Sequence, residues 1–145
     1  VSDGEHCITI LAGPPELERL RGFLEAAVTQ LGVAEAPALD LVVAVNELVT
    51  NSVVHGYRGR QGLIELCVRG VGSSIEVRLR DEAPPFDPTT LPPPRIDLPP
   101  HLRPPGGMGL HLARHFSDEL RYRVPPEGGN ELTVVKRGVR TASQA

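Results

Sequence analysis

A chain of 145 residues with 40% hydrophobic content is long enough for one domain with a core and too short for two ordinary ones. A formal charge of −3 with scattered Lys and Arg, and an aromatic content of 3% without tryptophan, exclude a basic footprint or a stacking platform for nucleic acid. No apolar run approaches the roughly 18 residues that span a bilayer, and no charged segment leads into an apolar one, so a soluble cytoplasmic protein without a membrane partner is expected.

Residues 6–12, HCITILA, are short, apolar and β-branched, as in a strand, and Pro14-Pro15 stops it. From Pro15 to Leu31 the positions Leu17, Leu20, Leu24, Ala27, Val28 and Leu31 keep a helical period, and Gly32 ends that helix. Asp40 to Tyr57, DLVVAVNELVTNSVVHGY, reads as the central helix, with Leu41, Val45, Leu48 and Ser52 on its buried face and Gly56 as a left-handed end. Glu47, Asn51 and His55 fall at i, i+4 and i+8, a polar line beside the apolar stripe. Glu and Asn are common where helices meet water, so that line alone also fits a solvated edge.

LIELCVRG and IEVRLRD alternate about the turn VGSS and read as an antiparallel hairpin ending at Asp81. Cys7 and Cys67 lie in predicted strands among Ile, Leu and Val and are expected as small core residues, not a disulfide or a metal site. Residues 82–105 hold ten of the chain's fifteen prolines, which can neither propagate a helix nor join a central strand. The segment is expected as a long lid or linker loop inside one domain. Gly106-Gly107-Met108-Gly109 then leads into the helix LHLARHFSDEL, whose free N-terminal N–H groups suit an anion. ELRYRVP and ELTVVKR read as the last two strands, and 138–145 as a frayed tail. The first residue, Val1, leaves open a piece of a longer protein.

The order strand, helix, helix, strand, strand, lid, helix, strand, strand predicts an α+β two-layer sandwich. Its mixed, mostly antiparallel sheet is expected to be covered on one face by three helices, as a single domain over 1–145. Glu47-x-x-x-Asn51 on a helix, Asp81 at a strand end and Gly107-x-Gly109 opening a helix occur in that order. With them the chain resembles the GHKL superfamily of ATP-binding domains, whose N, G1 and G2 boxes sit on the Bergerat fold. NELVTNSVVHGY, RDEAPPFDP and PGGMGLHLARHFSDELRY are most similar to the anti-sigma factor serine kinases of bacterial partner switching.

The resemblance implies Glu47 as the general base, Asn51 as the Mg²⁺ ligand, and Asp81 as acceptor of the adenine amino group. Gly107, Met108 and Gly109 would form the turn against the phosphates of ATP, and Thr133 would support the adenine pocket, unless it is only a β-former in its strand. His55 could reach the nucleotide, or only face the helix dipole. Where the family has a G1 glycine this chain has Ala83 before Pro84-Pro85. Ala83 would bring strain if φ > 0 is required there, or fill the space of the base. The implied function is an anti-sigma factor and ATP-dependent serine kinase. It would bind a sigma factor and phosphorylate an anti-anti-sigma partner of STAS fold, with homodimerisation a further family trait. The alternative is a domain of this fold impaired in nucleotide binding that only sequesters a partner, and a third reading is the catalytic domain of a sensor histidine kinase.

Overall fold

The computed structural model describes residues 2–90, 97–102 and 108–141. In chain order it contains β1 (Ser2–Leu11), α1 (Pro14–Gln30), α2 (Glu35–Asn51), β2 (Leu63–Val71), β3 (Ser74–Asp81), α3 (Met108–Phe116), β4 (Glu119–Arg123) and β5 (Asn130–Lys136). The strands form one sheet in the order β1-β2-β3-β5-β4. Every described ladder is antiparallel, so the α+β sandwich holds while the expected mixed sheet is an antiparallel one.

Strand parity separates the two faces of the sheet. Ile10, Ile64, Leu79 and Leu132 lie on one face with Leu66, Val68, Val77 and Val134, and all are buried. Against them α1 packs Leu20, Leu24 and Val28, and α2 packs Leu41, Val45, Leu48 and Val49. Each such side chain stabilises the fold by about 1.5–3 kcal/mol on burial, which makes α2 the central beam of the helical layer. The opposite face carries rows of charge: Glu65, Arg80, Glu131 and Arg123 pair across four strands, and Arg78, Thr133 and Arg121 across three.

Four expectations change. The central helix begins at Glu35, with Pro37 in its first turn, and beyond Asn51 it widens into a π-helical turn, Ser52–Tyr57. Gly56 lies inside that turn; the left-handed end is Arg58, at φ 52°. Glu35–Tyr57, 23 residues of mean hydropathy 1.3, is by length and composition long and apolar enough to cross a membrane, contrary to the sequence expectation. Its buried leucines and valines nevertheless belong to the core that α2 shares with the sheet.

Cys7 and Cys67 form a disulfide, because the β1–β2 register sets them directly opposite each other on the charged face. Of the tail expected to fray, residues 138–141 are held. Arg140, only 8% exposed, donates to the carbonyls of Leu31 (2.8 Å) and Gly72 (2.5 Å), tying the end of α1 to the β2–β3 turn. A cation at the C-terminal end of a helix also complements its dipole.

Candidate functional site

The inner face of the sheet ends in a row formed by Ile10, Ile64, Asp81 and Asn130. There the sheet, the end of α2, α3 and the start of the proline-rich loop enclose a cleft of about 610 Å³. That volume lies within the usual range for a small-molecule site. Its walls include Leu48, Asn51, Ser52 and His55 from α2 and the π turn, Leu79 and Asp81 from β3, and Pro84, Pro85 and Phe86 from the loop. Leu110 of α3, Tyr122 of β4, and Asn130 and Leu132 of β5 complete them, with Arg58 and Arg60 at the rim.

The π turn supplies the contacts between the helical layer and this end of the sheet. Ser52 Oγ donates to Asp81 Oδ2 at 2.9 Å. Gly56 comes so close to the sheet that a methyl added to it would stand 3.0 Å from the Cβ of Ala83. Tyr57 is buried, donates to the Leu63 carbonyl at 2.5 Å, and accepts the Glu82 N–H at 2.6 Å. Burial raises its pKa above the usual phenol range, partly opposed by the Glu82 N–H and reinforced by the charges of Asp81 and Glu82, so it remains a donor.

Asn130, which the sequence reading did not single out, is the hub on the other side. Its Nδ2 donates to Asp81 Oδ1 at 2.8 Å and to the carbonyls of Ala83 (3.3 Å) and Pro84 (3.2 Å). Its Oδ1 accepts from Tyr122 Oη at 2.5 Å and from the Phe86 N–H at 2.9 Å. Burial pushes the Tyr122 phenol up as well, so that group also stays protonated. The start of the loop is thereby fastened to β4 and β5, and Arg114 of α3 donates to the Thr89 carbonyl farther along. Gly129 allows this approach, since at φ 81° a side chain there would run into the Asp81 carbonyl.

The sequence-predicted residues divide. Asn51, Asp81 and His55 share the cleft, and Asn51 makes no side-chain hydrogen bond to described residues. Glu47, one turn earlier, does not line it; it borders a second groove of about 500 Å³ between α1 and α2. Ala83 is 2% exposed, its φ is not positive, and its methyl stands against Gly56 and is not among the cleft walls, so the expected strain is absent. Thr133 is on the charged face between Arg78 and Arg121; strand parity gives the cleft Asn130 and Leu132 instead. Met108 and Gly109 open α3, while Gly107 and residues 91–96 and 103–106 lie outside the described residues.

A carboxamide oxygen with no hydrogen bond from the described residues, on the wall of such a cleft, is a hard ligand of the kind Mg²⁺ takes beside phosphate oxygens. Asp81 is the only acidic side chain among the described residues lining the cleft, and it is held entirely by neutral donors. Together they suit a ligand with an amino group at one end and phosphates at the other.

Residues 10–136 match the family described as Histidine kinase-like ATPase domain. Among curated proteins the chain is 30% identical over 95 residues to the Serine/threonine-protein kinase BtrW of Bordetella bronchiseptica, covering 65% of this chain and 66% of that protein. It is 28% identical over 120 residues to the Anti-sigma F factor of Clostridium novyi, covering 81% of this chain and 82% of the relative. Among solved structures, the RsbU and RsbW domains of Rv1364c from Mycobacterium tuberculosis share its fold at a TM-score of 0.62 and 20% identity, over 99% of this chain and 35% of that longer one.

Proposed function

The chain belongs to the family of histidine kinase-like ATPase domains, and from that premise we propose that it is an anti-sigma factor and an ATP-dependent protein serine kinase. It binds a sigma factor and phosphorylates a serine on an anti-anti-sigma partner of STAS fold, as a cytoplasmic protein. The observation that carries the reading is the meeting of Asn51 and Asp81 in one cleft at the end of the inner sheet face. Relatives named as a serine/threonine kinase and as anti-sigma F factors support the choice of partners.

In this reading Asp81 accepts a hydrogen bond from the adenine amino group, and the loop prolines and Leu132 enclose the ring. Asn51 would hold Mg²⁺, which when bound neutralises charge on the phosphate oxygens. The N-terminus of α3, beginning at Met108, lends its dipole to the phosphate end. Glu47 serves as the general base. It takes the proton of the partner's serine hydroxyl as that oxygen attacks the γ-phosphorus and ADP departs. The acceptor serine must enter where its hydroxyl reaches both the γ-phosphate and Glu47, one helical turn before Asn51 on α2.

Incubation of the protein with γ-labelled ATP, Mg²⁺ and a purified STAS-fold anti-anti-sigma protein tests the reading. The expected result is serine labelling that Glu47→Ala removes. No transfer by the wild type, or undiminished transfer by Glu47→Ala, would overturn the kinase assignment.

A further inference from the structure

The two oxygens of Asp81 are not equivalent. Oδ1 accepts from Asn130 Nδ2 (2.8 Å) and from the Ala83 N–H (3.1 Å), which occupies both of its lone pairs. Among the described residues Oδ2 accepts from Ser52 Oγ alone, which leaves one acceptor position, on the atom next to the π turn. The donors around the carboxylate are spent in the same way. The single hydroxyl hydrogen of Ser52 is committed to Asp81, and the amide hydrogens of Asn130 to Asp81 and the loop carbonyls of Ala83 and Pro84. Tyr122 gives its hydrogen to Asn130. Here the carboxylate therefore offers a ligand one acceptor position and its neighbours none of these donors.

We infer that Ser52 and Asn130 are specificity-determining positioning residues. They hold the Asp81 carboxylate so that Oδ2 alone reads the base, accepting a 6-aminopurine and rejecting a 6-oxopurine. The inference rests on the nucleotide reading of the cleft and adds which atom selects the base and what holds it. A 6-oxo group in that place would set its oxygen against a carboxylate that cannot turn away. No side chain in the Asp81 network has a hydrogen to offer it, and an unpaired acceptor in such a site is strongly disfavoured.

The fixed network makes an unusual prediction for Asp81→Asn. Asn130 Nδ2 and the Ala83 N–H can only donate, whereas the Ser52 hydroxyl can rotate to accept, so the new carboxamide turns its oxygen to the Oδ1 position and its NH₂ to the Oδ2 position. The variant then presents a donor where the wild type presents an acceptor. Its base preference inverts.

The test is calorimetric titration of the whole protein with ATP and with ITP, both with Mg²⁺, and with thermal unfolding as the folding control. The wild type is expected to favour ATP by at least roughly tenfold, and Asp81→Asn to favour ITP. Ser52→Ala, which removes a part-buried hydroxyl without cutting into the core, narrows the wild-type ratio by about threefold or more, and Ser52→Thr restores it. A wild type that binds neither nucleotide would fail the nucleotide reading itself. A wild type that favours ATP, combined with an Asp81→Asn variant that still favours ATP or a Ser52→Ala variant with an unchanged ratio, overturns the positioning roles alone.

Discussion

Asp81 and Glu131 stand one register row apart on neighbouring strands, on opposite faces of the sheet, and their carboxylates are used in opposite ways. Glu131, 6% exposed, is surrounded by cations. Arg80 Nε donates to it at 2.8 Å, Arg123 donates to its other oxygen, and Arg78 lies at 3.6 Å. Burial raises its pKa, but the hydrogen bonds and charges of Arg123 and Arg80 outweigh that and hold it below the ordinary carboxylate range. Among the described residues Asp81 has no cation in these contacts; a hydroxyl, a carboxamide and a backbone N–H hold it and leave one acceptor position unused. A carboxylate neutralised by arginines braces a sheet. One held by three neutral donors leaves an acceptor position facing the cleft.

The difference predicts separable consequences. Glu131→Ala leaves three arginines without their common partner and is expected to cost about 3 kcal/mol of stability, a value held down because the arginines are partly solvated. Chemical denaturation reads that loss, while ATP affinity should stay within about twofold. Asp81→Asn should do the reverse. Its unfolding midpoint stays near the wild type's, while ATP affinity falls by about 2 kcal/mol, roughly thirtyfold, with the loss of a charge-assisted hydrogen bond.

Gly56→Ala strikes the joint between the π turn and the sheet. A methyl 3.0 Å from Ala83 Cβ is expected to cost about 1 kcal/mol in stability. Adding Ala83→Gly should return most of it, and an additive double variant would show that the two residues do not press on one another. The smallest effect is on acidification. The lowered pKa of Glu131 means that its contribution is complete above the ordinary value of about 4.5 and is lost as pH falls through the lower folded-state value. Wild-type stability should therefore fall more steeply in that acid range than that of Glu131→Gln, as followed by urea midpoints.

Periodicity carried the fold a long way. Alternation in β2, β3 and β5 and the 3.6-residue repeat of α1 and α2 are local signals, and the layers follow from them. The failures share a cause, which is dependence on long-range register. Cys7 and Cys67 are 60 residues apart, and only the β1–β2 ladder sets them opposite. Asn130 reads as a turn residue before the last strand, yet pairing with Asp81, 49 residues away, makes it the hub of the cleft. The face of Thr133 was open to a count of parity from the buried Leu132 and Val134, a signal present in the sequence. The π turn had no such signal, since Ser52–Tyr57 continues the helical pattern and widens only where it meets Asp81 and Ala83. Arg140 lay in a polar, glycine-led tail with no hint that two carbonyls from distant turns would converge on it.

The proposed function requires Asn51 and Asp81 to make this cleft a Mg²⁺-dependent ATP site. Titration calorimetry of the wild type and Asn51→Ala with ATP, with and without Mg²⁺, decides whether they do. The predicted result is saturable micromolar binding by the wild type that Mg²⁺ strengthens, and binding by Asn51→Ala that Mg²⁺ no longer strengthens. Absence of saturable binding by the wild type, or the same Mg²⁺ dependence in both proteins, would contradict it.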